Sequence, residues 1–185
     1  MTQKTRLLLF VVLLGGLVLG VGGAAGGQIA PDTPAANAGW EEVGVGSASG
    51  GGISQSLNPS SAPAIAFDTD GNPVIVWTEN VEEDWEIYIR RWDGFNWVEM
   101  GSGSASGNGI SDDGGESQSP ALAVAPDGSI VVVWTNYYDD FYNGSDIFVR
   151  HWDGISWEEM GNGSAGGGGI GQTADHGSER PTVII

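Results

Sequence analysis

Short apolar runs, separated by glycine and acidic turn residues, recur along the chain between residues 40 and 185. One unit contains four such runs: Ala64–Phe67, Val74–Trp77, Glu86–Trp92 and a short run that starts at Trp97. Runs of this length, rich in β-branched and aromatic residues, are typical of strands. The pattern therefore predicts a meander of four antiparallel strands.

The four-run unit is an internal repeat. Trp92–Gly101 returns as Trp152–Gly161, about sixty residues later, and Pro63–Phe67 returns as Pro120–Val124. Pro181–Ile185 matches the start of a third unit. A repeat of this kind indicates one supersecondary module that stacks on its neighbours to bury a shared core. The repeated tryptophans are therefore expected to pack between modules.

Two kinds of connection alternate within each unit. Asp-Gly pairs at 70–71 and 127–128 join the first two strands, and Asp-Gly pairs at 93–94 and 153–154 join the last two. Asp-Gly tolerates the positive φ that tight hairpins require. The connections between the second and third strands are predicted to be long loops, which emerge on one face together with the links between units.

Each unit ends in a segment rich in glycine and serine, at 44–53, 101–110 and 161–170. A flexible linker of this composition needs no fixed register, but these three copies keep theirs. They are predicted to be ordered connections between units, and the isoleucine that ends each copy is predicted to anchor it.

The repeat predicts an all-β fold, a β-propeller of four-stranded antiparallel blades that is incomplete in this chain, with about two and a half blades. The predicted parts are an outer strand at 40–45, a blade at 63–101, a blade at 120–161 and the start of a further blade at 181–185. Because these strands do not make up whole blades, the chain is interpreted as the front part of a longer protein. The alternative is a two-blade lectin that assembles with other copies.

The N-terminus has the layout of a secretory signal. Lys4 and Arg6 precede an uncharged apolar run that ends in small residues, so residues 1–27 are predicted to be a signal peptide, followed by a linker at 28–39. The alternative is an uncleaved membrane anchor, since about 20 apolar residues span a bilayer. Both interpretations predict a secreted or cell-surface protein.

The chain is strongly acidic, with 24 Asp and Glu, 6 Lys and Arg, and a formal net charge of −18. Phosphate backbones and anionic lipid headgroups are bound through Lys and Arg. Nucleic acid is therefore not expected as a partner, and a membrane contact is expected only through the N-terminal segment. The chain has no Cys, which excludes disulfides, thiolate zinc sites and a cysteine nucleophile.

The hairpin Asp93–Trp97, with the sequence DGFNW, and its copy Asp153–Trp157, with DGISW, resemble the turns of sialidase-like secreted bacterial β-propellers. In that group the turn carries an Asp box, Ser-x-Asp-x-Gly-x-Thr-Trp. The resemblance implies a propeller and, in a catalytic member, an arginine cluster, a Tyr nucleophile with a nearby Glu, and an Asp acid/base. Arg90 and Arg150 lie at equivalent repeat positions and are expected to pair with neighbouring acids, so no catalytic constellation is predicted.

Ligand binding is predicted in the loops between the second and third strands, where acids meet aromatic residues. Such loops can stack sugar rings and accept hydrogen bonds from their hydroxyls. The alternative is that the acids solvate the rim and the rings pack between blades. Calcium is a second candidate ligand, held by the same carboxylates with Asp112, Asp113 and Glu116, although no EF-hand spacing occurs. The predicted ligand-binding residues are Glu82, Glu83, Asp84, Trp85, Tyr138, Asp139, Asp140, Phe141 and Tyr142.

These observations predict an exported, non-catalytic binding or scaffolding module for carbohydrate or extracellular protein ligands, with no cofactor other than the calcium candidate. The alternative is part of a sialidase-like glycoside hydrolase or lyase whose active residues lie in other blades. A purely structural role in a cell-surface assembly is the third hypothesis.

Overall fold

The computed structural model describes four stretches of the chain, residues 39–111, 114–138, 144–172 and 177–185. The predicted signal peptide and all but the last residue of the predicted linker lie outside them. The chain divides into two units, Met1–Trp40 and Glu41–Ile185, and all the strands of the described residues lie in the second. The described residues contain no helix, and thus no helical segment with the length and apolarity of a membrane span.

Two four-stranded antiparallel sheets form the second unit, each with its strands in chain order. The first sheet consists of β1 Ser60–Phe67, β2 Pro73–Val81, β3 Asp84–Trp92 and β4 Trp97–Glu99. The second sheet consists of β5 Glu116–Val124, β6 Ile130–Tyr137, β7 Ser145–Trp152 and β8 Trp157–Glu159. The prediction of an all-β fold built from four-stranded meanders is confirmed.

Strands β1 and β5 start earlier than predicted, and each contains a bulge before its proline. The bulged residues are Ala62 and Ser119, with φ of 47° and 56°. Arg180, which precedes the proline of the third copy, has a φ of 55° and so repeats this conformation. Residues 181–185 form no strand in the structure, and neither do residues 40–45, so the strands predicted there stay predictions.

The connection between β2 and β3 is shorter than predicted. β3 begins at Asp84, so Asp84 and Trp85 belong to a strand and only Glu82 and Glu83 form the turn. The prediction of a long loop is wrong for the first sheet, because strand pairing continues to the end of the hairpin. In the second sheet the corresponding connection is longer, at 138–144.

The glycine of each Asp-Gly turn has a positive φ, as predicted. In the β3–β4 turn, one carboxylate oxygen of Asp93 accepts hydrogen bonds from the backbone N–H groups of Asn96 and Phe95, at 2.7 and 2.8 Å. Asp153 makes the equivalent bonds in the β7–β8 turn. These backbone hydrogen bonds lower the pKa of both aspartates, because they favour the charged form.

The main core lies between the two sheets. Neither sheet could remove these side chains from water alone, so the two repeat units stabilise each other by apolar burial. The fully buried members of the core are Val74, Val76, Ile87, Ile89, Ile110, Ile130, Val132, Trp134 and Phe148.

The segment rich in glycine and serine after β4 covers the part of the β3 edge that the three-residue β4 leaves unpaired. The Ile89 N–H donates to Ser104 O at 2.8 Å, and the Ile110 N–H donates to Ile87 O at 2.7 Å. The copy after β8 makes the same two bonds with β7. These connections are therefore ordered, and they satisfy backbone groups that a sheet edge would otherwise leave open.

A tryptophan on the last strand of each sheet binds the segment that precedes that sheet. Trp157 donates from Nε1 to Met100 O, and Trp97 donates from Nε1 to Val43 O, both at 2.7 Å. Val43 and Met100 occupy the same repeat position. Residues 41–44 therefore contact the first sheet in the same way that Met100, which follows β4, contacts the second sheet.

We expect Gly109→Ala to destabilise the protein more than Gly52→Ala. The two glycines share a repeat position and have φ of 66° and 64°, so both substitutions carry a similar backbone strain of about 1 kcal/mol. A Cβ at Gly109 would collide with Ile87 O, whereas a Cβ at Gly52 would meet nothing within 4 Å. Urea denaturation should show a further loss of at least about 1 kcal/mol for Gly109→Ala. Equal losses of stability for the two variants would contradict the close approach of Gly109 to Ile87 O.

Tyr88 is buried in β3, and its hydroxyl donates a hydrogen bond to Gly107 O. Burial and then the carboxylates of Glu79, Glu86 and Asp84 raise the pKa of Tyr88 to about 12. Both causes disfavour the phenolate. The neutral phenol is thus the form that the folded protein stabilises.

We expect Tyr88→Phe to remove part of the alkaline sensitivity of the fold. A pKa raised in the folded state contributes stability below the unfolded-state pKa of about 10, and this contribution is lost as the pH rises through about 12. Phe148 occupies the equivalent position of the second sheet, so phenylalanine suits the site. Thermal melts in this pH window should show a steeper loss for the wild type. Parallel curves of melting temperature against pH for the wild type and Tyr88→Phe would show that Tyr88 does not cause this alkaline sensitivity.

Candidate functional site

A cleft of about 420 Å³ lies where the β2–β3 turn of the first sheet faces the start of β5 and the end of β6 in the second. We call it the acidic cleft. It brings a connection of one sheet to strand ends of the other, so neither sheet forms it alone. Its lining residues are Glu82, Glu83, Asp84, Gly114, Gly115, Glu116, Tyr137 and Tyr138.

The β2–β3 turn has an unusual sequence for its conformation. Val81 pairs with Asp84, which leaves Glu82 and Glu83 as a two-residue turn with φ of 55° and 74°. Two-residue turns with two positive φ angles are of type I′ and favour Asn-Gly, because a residue with a Cβ is strained there. The strained turn holds two exposed glutamates at the cleft.

The structure brings four predicted ligand residues to the acidic cleft: Glu82, Glu83, Asp84 and Tyr138. Trp85 does not line it. Neighbouring residues of a strand point to opposite faces, and Trp85 shares the face of β3 that carries the core isoleucines. The remaining predicted residues lie outside the described part of the chain; they are Asp139, Asp140, Phe141 and Tyr142.

Glu116 and Tyr137 also line the cleft. They are cross-strand partners in β5 and β6, so their side chains leave the sheet on the same face. The sequence indicated Glu116 only as a calcium candidate. No local signal places the start of β5 beside the turn of another sheet, because that contact comes from tertiary packing.

The acidic cleft combines four carboxylates with two phenols, and none of its described lining residues is basic. Carboxylates accept hydrogen bonds from hydroxyl and ammonium groups. Tyrosine adds a ring face and a hydroxyl. This set of groups favours a ligand with several hydroxyls or a positive charge, and it repels anions.

Calcium binding is not tested by the arrangement of the cleft. Among the described residues, no group of three or more His, Cys, Asp or Glu side chains is placed to hold a metal ion. Glu116 lies in the acidic cleft, whereas Asp112 and Asp113 fall outside the described residues. The calcium candidate therefore stays a prediction.

No protein-family model matches the chain, and no curated protein matches it. Solved structures that resemble it include a protein provisionally described as a glycosidase from Bacteroides thetaiotaomicron, with a TM-score of 0.41, and a glycosyl hydrolase from Bacteroides ovatus, with a TM-score of 0.35. Both are 18% identical to this chain. The matches cover 66% and 58% of this chain, but only 37% and 31% of those structures. Similarity this weak carries no inference about activity.

We expect the double variant Glu82→Asn, Glu83→Gly to be about 1 kcal/mol more stable than the wild type, because Asn-Gly relieves the strain of two positive φ angles. The matched control is Glu82→Gln, Glu83→Gln, which removes the same charges and keeps the strain. Urea denaturation measures both variants. If the Asn-Gly variant is no more stable than the Gln-Gln variant, the type I′ assignment is wrong.

Proposed function

We propose that this protein is an exported, non-catalytic β-propeller module that binds carbohydrate in the acidic cleft. The observation that carries the proposal is the meeting of the Glu82–Glu83 turn with Tyr137 and Tyr138 across two adjacent sheets. Export is supported by the signal-like N-terminus. The propeller is supported by the repeated four-stranded sheet.

The face of the first sheet that points away from the second sheet supports a stack of more than two sheets. Leu122 and Val124 of the second sheet are partly buried against the core. Their counterparts in the first sheet, Ile65 and Phe67, are 57% and 61% exposed. The same repeat positions are thus covered in one sheet and uncovered in the other. A further sheet on this face would bury them, as neighbouring blades do in a propeller.

Carbohydrate suits the chemistry of the acidic cleft. Its carboxylates provide several acceptors within one small volume, and sugar hydroxyls donate to such acceptors. Tyr138 is 39% exposed, so its ring offers a surface for the apolar face of a sugar. Phosphate-rich ligands are disfavoured, because the described lining contains no basic residue to neutralise them.

A glycan array with the full-length chain tests this function. We expect binding to a subset of neutral glycans, and binding at least about tenfold weaker for Glu82→Gln, Glu83→Gln, because a hydrogen bond to a charged group contributes about 1.5–3 kcal/mol. The control is Glu41→Gln, Glu158→Gln, which removes two exposed acids outside the cleft. The control should bind like the wild type.

Three results would contradict the proposal. The first is a lack of binding to any glycan, both with and without calcium in the buffer. The second is release of free sugar from a bound glycan, which would show an enzyme in place of a binding module. Equal binding by the cleft variant and the control would place the ligand elsewhere.

A further inference from the structure

Three buried side chains with polar atoms lie next to one another on one face of the second sheet. Trp134 and Asn136 are two residues apart on β6 and share a face, and Ser117 is the β5 partner of Asn136. Trp134 belongs to the core between the sheets, so this face packs against the first sheet. The exposed fraction of each side chain is at most 3%. We call Ser117, Trp134 and Asn136 the polar row.

The first sheet carries the same row with one change of residue type. Ser60, Trp77 and Glu79 occupy the matching repeat positions. One carboxylate oxygen of Glu79, Oε2, accepts hydrogen bonds from Trp77 Nε1 at 2.9 Å and from Ser60 Oγ at 3.1 Å. The indole and the hydroxyl at these positions thus point to one place, and a single oxygen there satisfies both donors.

Asn136 does not take over the role of Glu79 in the second sheet. Its side chain is shorter by one methylene group, and its Oδ1 lies against Gly115, where a Cβ would collide with it. Among the described residues, neither Trp134 Nε1 nor Ser117 Oγ has a hydrogen-bond partner, although both atoms are fully buried. Burying a polar group without a partner is unfavourable. The polar row therefore calls for an acceptor from outside the protein chain.

We propose that the polar row binds one internal water molecule, at the point that corresponds to Glu79 Oε2 in the first sheet. The water oxygen would accept a hydrogen bond from Trp134 Nε1. The water and Ser117 would share a second hydrogen bond, because a hydroxyl group both donates and accepts. The missing methylene group leaves room for one water molecule, whose share of the liquid volume is about 30 Å³.

An ion or a larger solute suits the polar row less well than water does. The indole N–H of Trp134 can only donate a hydrogen bond, so it does not bind a cation. Asp146 is buried and is the cross-strand partner of Asn136, and its carboxylate repels an anion. A solute larger than water does not fit the space of one methylene group. Water is small and neutral, and it accepts from an N–H group.

The polar row lies directly beside the acidic cleft along both strands. Glu116 precedes Ser117 on β5, Tyr137 follows Asn136 on β6, and both of these neighbours line the cleft. A water bound to Ser117 and Trp134 would join β5 to β6 through their side chains, next to the strand ends that form the cleft. We therefore assign it a structural role in holding these two strand ends together.

A high-resolution crystal structure of the full-length chain tests the proposal, together with a NOESY spectrum of the ¹⁵N-labelled chain. We expect electron density for one water about 3 Å from both Trp134 Nε1 and Ser117 Oγ. In solution, the indole Hε1 of Trp134 should show a cross-peak to a bound water. The indole Hε1 of Trp77 should show none, because Glu79 is its acceptor. The two tryptophans thus provide an internal comparison.

Three variants complete the test. Asn136→Gln adds one methylene group without adding charge, so its amide oxygen should displace the water and abolish the Trp134 cross-peak. Glu79→Asn makes the reverse change in the first sheet and should create a water cross-peak at Trp77. The matched control is Asn96→Gln, at an exposed turn position, which should leave both indole signals unchanged. Near-UV circular dichroism checks folding, and Glu79→Asn keeps the test valid if Asn136→Gln does not fold.

The proposal is overturned if the crystal structure shows no ordered water at the polar row, or an ion in its place. It is also overturned if a folded Asn136→Gln variant keeps the Trp134 cross-peak, or if Trp77 gives an equal cross-peak in the wild type. None of these outcomes depends on glycan binding. A negative glycan array would leave the internal water in place, and a dry polar row would leave the acidic cleft in place.

Discussion

The rest of the structure depends on hydrogen bonding of the backbone groups at the outer edge of the third strand in each sheet. The fourth strand pairs with only three residues of that edge, and open backbone groups beyond them would be unfavourable. The connection rich in glycine and serine closes the edge, and at Gly109 it comes so near that no side chain fits. Met100, which directly precedes this connection, accepts a hydrogen bond from Trp157 of the second sheet. Closing one edge therefore also sets the position of the next sheet.

An acidic residue organises each of these connections. The carboxylate of Glu42 accepts hydrogen bonds from the N–H groups of Gly46 and Ala48, and Glu159 plays the same role in the third copy. The hydroxyl of Ser49, followed by these backbone groups, lowers the pKa of Glu42. Part of the large negative charge thus has a structural purpose, because a glycine-rich turn exposes N–H groups that need acceptors.

The two sheets differ in the connection between their second and third strands and in the contacts of their equivalent arginines. The first sheet joins β2 and β3 through a strained two-residue turn, whereas β6 and β7 of the second sheet are further apart in sequence. The acidic cleft lies between the turn of the first sheet and the start of β5 and the end of β6 in the second. The arginines differ in the same way: Arg90 is tied to a backbone carbonyl, and Arg150 lines a pocket. Trp97 and Trp157, which share a repeat position, keep matching bonds to the segment that precedes each sheet.

The sequence by itself determined the order of the four strands within each sheet and the positive φ of the Asp-Gly turns, because periodicity and turn chemistry are local properties. From their composition it also predicted that Glu82, Glu83 and Asp84 bind a ligand, and these three residues line the acidic cleft. It did not show that β3 extends through Asp84 and Trp85, since cross-strand pairing outweighed the polar local sequence. Only the tertiary structure decided that Glu116 joins the acidic cleft and that Arg150 lines a separate pocket. Part of the lining around Glu116 and around Arg150 comes from the other repeat unit. Contacts between segments that are distant in sequence leave no pattern in the residues next to Glu116 or Arg150.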